Sequence, residues 1–224
     1  MHNSRSLLTV LQHGDSFFPS GGIAFSWGLE TLHADGLLSG SADIELFICG
    51  QLIHRWATCD RIALARTYEA AHDLDRVAAC DAELETLALA RELREGSRRT
   101  GATLLRVHSQ LGTPQADAYR EKVRDGLADG HLAAVQGLLW RGVGLSLEEA
   151  QVTSAHTLSL GVLGAAIRLG IIGHIDAQKI LLAAHATIDN LLKVVVDDEL
   201  SSFVPASEIA MMRHEVGQSR LFAN

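Results

Sequence analysis

Three features of this 224-residue chain predict an all-α fold. Hydrophobic residues make up 47% of it, alanine and leucine are abundant, and β-branched runs are few, a composition that favours helices. Only three prolines occur, Pro19, Pro114 and Pro205, and they lie far enough apart to leave long helix-permissive windows. Apolar residues recur at three- and four-residue spacing through those windows. The length suffices for one sizeable core. The expectation is a single bundle of about eight to ten helices over residues 1–204, followed by a tail over 205–224.

Taken in order, Leu7 to Gln12 reads as a short helix with Leu7, Leu8 and Leu11 on one face, and Gly14 ends it. Gly14 to Glu30, GDSFFPSGGIAFSWGLE, concentrates Gly, Pro and large aromatics in a chain that is only 5% aromatic. Such a stretch sets backbone geometry and pins a loop to a core or a partner. A helix is predicted over Ile23 to Ala34, stopped at Gly36. Ser41 and Asp43 suit the start of the next, Ile44 to Ala57, and an amphipathic helix follows over Asp60 to Ala71. Asp75 to Leu111 reads as one long tract, bent or divided at Gly96 and Gly101, with Arg94 to Arg99 as a solvated face.

Pro114 marks a helix start. Shorter helices are predicted over Ala116 to Leu127 and Leu132 to Gly142. Ser146 and Glu149 form a capping box for Leu147 to Leu169, the expected central helix, in which Gly161, Gly164 and Ala165 would admit a close neighbour. Gly170 and Gly173 end it. Asp176 would cap Ala177 to Val196, which runs into the acidic group Asp197-Asp198-Glu199. Pro205 opens the tail, with Ser207 as a cap for one short helix and SRLFAN as an extended end.

The net charge of −8 argues against a nucleic-acid binder, which needs basic surface. Ala150 to Ile167 lacks charge but carries Gln151, Thr153, Ser154, His156, Thr157 and Ser159, too polar for a lipid-exposed span. Three scattered cysteines, Cys49, Cys59 and Cys80, and no signal-peptide pattern fit a reducing cytoplasm. No P-loop, nucleophile elbow, H-E-x-x-H or C-x-x-C is present. No two of the eleven histidines stand four apart. His54, Cys59 and Asp60 are five and six apart, off one α-helical face, so a metal site there is weak. Cys59 and Cys49 read as apolar filler, and His156 as the histidine most deeply buried. The acidic group at Asp197 would sit unfavourably at a helix C-terminus. The residues alone leave open a metal-dependent helical hydrolase and a helical adaptor unrelated to any metal.

Motifs at both ends narrow this. Asp15-Ser16-Phe17-Phe18-Pro19-Ser20-Gly21-Gly22, then Phe25-Ser26 and Gly28-Leu29-Glu30, closely resemble the signature of the urease accessory protein UreF family. Met212-Arg213-His214-Glu215 and Ser219-Arg220-Leu221-Phe222 are similar to its C-terminal pattern. Between them, Ser97-Arg98-Arg99-Thr100-Gly101 with Leu104-Leu105-Arg106, and His131 with Gly137, resemble its central part. Ile23 stands where the family is often aromatic, and Phe25 where it commonly has tyrosine.

The resemblance implies an all-α protein with no catalysis of its own and no stably bound cofactor. It implies a co-chaperone that bridges the scaffold UreD (also called UreH) and the GTPase UreG, with nickel loaded into the urease apoprotein at the expense of GTP held by UreG. It further implies a homodimer and a C-terminal tail that orders on the scaffold. The partner-binding residues carried over are Asp15, Ser16, Phe17, Phe18 and Ser20 at one end, and Arg213, His214, Glu215, Ser219, Arg220, Leu221 and Phe222 at the other.

Overall fold

The computed structural model describes residues 4–21, 25–195, 198–215 and 222. Its helices are α1 (Ser4–Gly14), α2 (Leu29–Ala34), α3 (Ser41–Gln51), a π-helix (Leu52–Asp60), α4 (Arg61–Glu69), α5 (Leu74–Leu87), α6 (Arg91–Gln110), α7 (Ala116–Arg124), α8 (Leu132–Gly142), α9 (Leu147–Arg168), α10 (His174–Lys193) and α11 (Pro205–His214). No strand occurs among the described residues. None of their helices is long and apolar enough to cross a membrane.

The central position expected of α9 holds. Ala155, Val162, Ala165 and Ala166 pack on Ile44, Ile48 and Trp56 from one side and Ile180, Ala184 and Ile188 of α10 from another. Its start is the expected capping box: Ser146 Oγ accepts from Glu149 N, and Glu149 Oε2 accepts from Ser146 N. The alanines supply the close packing here. A Cβ added to Gly161 would meet only Trp27, at 3.7 Å, and one added to Gly164 would meet nothing within 4 Å among the described residues beyond its own helix.

A second core joins α5, α6, α7 and α8 through Val77, Leu105, Tyr119, Val135 and Leu139. Buried Asp81 accepts from Tyr119 Oη, Gly130 N and His131 N at 2.7, 2.6 and 2.8 Å, fixing the entry to α8. Tyr119 is accordingly held protonated, by burial and by the Asp81 charge. Against α4, α8 comes so close that a Cβ on Gly137 would lie 2.2 Å from Thr67 Oγ1 and 2.3 Å from the Leu64 carbonyl.

Several boundaries move. The tract after Asp75 is not bent at Gly96 or Gly101. It breaks at Ala88–Ala90, where the backbone turns extended and Arg94 Nη1 donates to the carbonyls of Ala88 and Leu89 at 2.6 and 3.0 Å. Gly96 and Gly101 instead admit neighbours: added Cβ atoms would lie 2.4 Å from the Phe25 ring and 2.0 Å from the Gly130 carbonyl. The Arg94–Arg99 face is only partly solvated, since Arg94 and Arg98 both pair with Glu85.

The helix predicted from Ile23 starts at Leu29 among the described residues, and α10 starts at His174 behind Gly173, so Asp176 lies in its first turn and is not its cap. Helix α10 ends at Lys193, so Asp198 stands clear of its terminus and pairs with Arg66 at 3.2 Å. Asp197 lies outside the described residues. Ser207 does not cap α11, which opens with Pro205 at its first turn.

The π-helix is the largest local departure. Ser41 to Glu69 runs on as one helical rod, but its middle takes the wider turn in which residues five apart share a face. Arg55 and Asp60 therefore meet, at 3.3 Å. The rod also holds the segment leading to α11: Ser201 N donates to the Thr58 carbonyl at 2.8 Å and Phe203 N to the His54 carbonyl at 2.9 Å.

Candidate functional site

The Gly14–Glu30 motif divides into an exposed tip and a buried base. At the tip, Asp15 Oδ1 accepts from Phe17 N at 2.8 Å and the Asp15 carbonyl accepts from Phe18 N at 3.0 Å, a side-chain-stabilised turn. That turn sends consecutive aromatics in opposite directions. Phe17 is 92% exposed, with Asp15 and Ser16 exposed beside it. Phe18 folds inward against His13 and His108, its ring centroid 4.8 and 5.8 Å from theirs. Ser20 is half-buried.

The base runs from Phe25 to Glu30. Trp27 and Gly28 take consecutive left-handed conformations, φ 57° and 82°, which is routine for glycine and costly for tryptophan. Helix α11 holds this bend in place. Ser207 Oγ donates to the Trp27 carbonyl, and a Cβ on Gly28 would lie 2.7 Å from the Ser207 carbonyl. Ala210 and Met211 are buried, and Met211 packs with Leu93 and Trp27.

At the end of α11, His214 is buried between two carboxylates. Its Nδ1 lies 3.0 and 3.1 Å from the Glu92 oxygens and its Nε2 lies 3.2 Å from Glu30 Oε2. An ionised carboxylate only accepts, so each contact is a hydrogen bond where the facing ring nitrogen carries a proton. Glu215 accepts from Glu92 N at 3.3 Å. Arg213 forms a bidentate pair with Asp35 just past α2. Phe222 N donates to Glu30 Oε2 at 3.2 Å, and the Arg168 guanidinium lies 4.5 Å from the buried Phe222 ring.

The two terminal motifs therefore form one seam through contacts between residues about 180 positions apart. Of the residues expected at a partner surface, Asp15, Ser16, Phe17 and Arg213 are exposed, Phe18, Ser20 and Glu215 are partly covered, and His214 and Phe222 are buried. Ser219, Arg220 and Leu221 lie outside the described residues, as do Gly22 and Ile23. Sequence reasoning missed Glu92, Asp35 and Arg168. Nothing in their local sequence marks them, because each acts across a distant contact.

The other candidates disperse. His54 is exposed, Cys59 is buried with its thiol pushed up to about 12 by desolvation, and Asp60 is taken by Arg55. No three His, Cys, Asp or Glu side chains among the described residues are grouped to hold a metal ion. His156 is only half-buried and faces His185, ring centroids 5.7 Å apart. The deeply buried histidines are His13, His108, His131 and His214. Cys49 is partly exposed, its Sγ 3.7 Å from Thr187 Oγ1. Of the central motif, Ser97 Oγ accepts from Leu132 N, and His131 Nε2 lies 2.8 Å from Glu85. These residues, with Gly101 and Gly137, hold α8 in place.

Comparison with known proteins agrees with the terminal motifs. The UreF family model matches residues 38–185, between the two motifs. The urease accessory protein UreF of Trichodesmium erythraeum is 33% identical, over 97% of this chain and 96% of the relative. Those of Paenarthrobacter aurescens and Actinobacillus pleuropneumoniae are 29% and 28% identical, over 96% and 93% of this chain and 96% and 94% of each relative. The family model and these near full-length matches cover both the helical body and the seam that joins its ends, and the chain belongs to the UreF family of urease accessory proteins.

Proposed function

We propose that this protein is a non-catalytic co-chaperone that bridges the UreD/UreH scaffold and the GTPase UreG during GTP-dependent nickel insertion into apo-urease. Nickel is the cargo and GTP belongs to UreG. The protein works in the cytoplasm as a homodimer. The observation that carries this is the seam. It uses the buried members of both motifs to fix the backbone and leaves Asp15, Ser16, Phe17 and Arg213 on the surface. An exposed phenylalanine beside polar groups suits a protein contact, where aromatics and arginines are enriched. Residues 205–224 act as the scaffold-binding tail, with α11 docked and the residues after Glu215 completing the contact.

The test is a pull-down from a urease-positive extract, with and without GTP, using the intact chain, Phe17→Ala, and a chain lacking residues 219–224. The intact chain retains UreD/UreH, UreG and urease. The truncated chain loses UreD/UreH while keeping its helical circular dichroism. Undiminished UreD/UreH capture by the truncated chain would overturn the assignment of the tail. Absence of all three partners with the intact chain would overturn the function.

A further inference from the structure

We propose that His156 and His185 form a two-imidazole binding site for a late first-row divalent transition-metal ion, of the Ni²⁺ and Cu²⁺ class. The two residues lie on adjacent helices, His156 in α9 and His185 in α10. Their ring centroids are 5.7 Å apart and their planes are tilted by 38°. The helices that carry them are packed together through Val162, Ala165, Ile180, Ala184 and Ile188, so the spacing belongs to rigid elements, as a preorganised site requires. No local pattern in the sequence marks the pair, because it spans two helices.

The spacing suits one shared ion. An imidazole nitrogen ligates such an ion at about 2.0–2.1 Å, which puts the ion about 3.2 Å from the ring centroid. Two rings sharing an ion therefore have centroids up to about 6.4 Å apart, and 5.7 Å lies within that reach. The site is also open. His156 is half-buried and His185 exposed. Neither ring makes a hydrogen bond among the described residues, and no His156 nitrogen is closed off from solvent. His185 can thus turn a nitrogen toward His156 without breaking a contact. On the α1 side His156 faces Gly14, where even an added Cβ would come no nearer than 3.5 Å to its Cδ2.

The donors specify the ion. Imidazole suits nickel, copper and zinc, whereas Mg²⁺ and Ca²⁺ take oxygen ligands. Burial, and then the neighbouring His185, hold His156 below the ordinary imidazole range, which favours the neutral form that ligates. Asp189, four residues after His185, shares its face of α10, but Lys193 Nζ holds its carboxylate at 2.5 Å. The ion therefore takes two ligands from the protein and the rest from water. A structural zinc centre is closed by four protein ligands; this site leaves its ion open to exchange.

The experiment is equilibrium dialysis of the full chain against Ni²⁺ and, separately, Mg²⁺, repeated with His185→Ala, His156→Ala, the double variant and His54→Ala. The intact chain is expected to bind Ni²⁺ and not Mg²⁺. Removing either histidine of the pair should weaken Ni²⁺ binding at least tenfold, and the double variant should lose no more, because one ion needs both rings. His54→Ala, at an exposed histidine outside the pair, should change nothing. On the unaltered chain, substoichiometric Cu²⁺ should first broaden the amide resonances around residues 156 and 185 in ¹H–¹⁵N spectra, a reading that stands even if His156→Ala fails to fold. Additive losses from the two single variants would show two separate one-histidine contacts. Binding unaffected by His185→Ala, or broadening centred elsewhere, would put the ion at another place. Any of these results overturns the proposal. Partner capture plays no part in the readout, so the ion site and the bridging role stand or fall separately.

Discussion

The α4–α8 contact and the α2–α11 seam are both tight, but they are tight for different reasons. At α4–α8 the backbones touch because Gly137 has no side chain, with Thr67 Oγ1 and the Leu64 carbonyl in the space a Cβ would need. The seam also uses a glycine, Gly28, but it is closed by polar groups: Ser207 on a carbonyl, Arg213 on Asp35, and His214 between Glu30 and Glu92. A backbone contact like that of α4 and α8 tolerates no added volume. Buried ionisable contacts depend on every member being present and correctly protonated. The α4–α8 contact thus rests on the approach of two backbones, and the α2–α11 seam on a set of polar partners.

Substitutions that separate the two regions test this contrast. The largest effect is expected from Gly137→Val, which forces a branched side chain into occupied backbone space. A loss of about 3 kcal/mol or more is expected, read as a fall in the urea midpoint of the whole protein. Gly28→Ala should cost about 2 kcal/mol, from the left-handed backbone and the clash with Ser207. Its effect should be local: α11 should lose protection from hydrogen exchange before α4 and α8 do. Simultaneous loss of protection everywhere would show that the seam and the body are one cooperative unit.

Acid gives an effect of similar size at a third place, beside the exposed tip. His108 is fully buried, with Nδ1 2.8 Å from Thr113 Oγ1, and burial together with neighbouring His13 pushes its imidazole down to about 4. The unfolded chain, titrating near the ordinary histidine value of about 6.5, then binds the proton more readily than the native state. Stability is complete above about pH 6.5 and falls as the pH drops toward 4, by about 2 kcal/mol at pH 5. Urea unfolding at pH 7 and pH 5 measures it, and His108→Phe should flatten the profile. The smallest effect on stability belongs to Phe17→Ala, within about 0.5 kcal/mol for a side chain so exposed. The same change should weaken partner capture at least tenfold. Unchanged capture would move the contact surface away from the tip.

Much of the architecture was legible from periodicity and capping. The central helix and its Ser146–Glu149 start, the apolar positions of α6 and the existence of α8 follow from the 3.6-residue repeat and capping signals. The π-helix was not legible, because its wider turn carries no distinct residue signal, and it alone makes Arg55 and Asp60 neighbours. The break at Ala88–Ala90 was also hidden. Ala-Leu-Ala is a good helix sequence, and the guanidinium of Arg94 stabilises the interruption by donating to two carbonyls. His156, in an uncharged run, looked more buried than it is, because its surroundings are set by which face of α9 meets α10.

The site was legible as two motifs but not as one place. The sequence by itself determined the helical class, the two terminal patterns and, through them, the family. Those depend on local propensity and on residue order, which a chain carries before it folds. Only the tertiary structure decided that Glu30 and His214 share a buried cluster, and that Phe17 faces solvent while Phe18 folds inward against His13 and His108. Each of these depends on groups brought together from distant parts of the chain, and on burial that gives an unpaired charge or hydrogen bond its large free-energy weight.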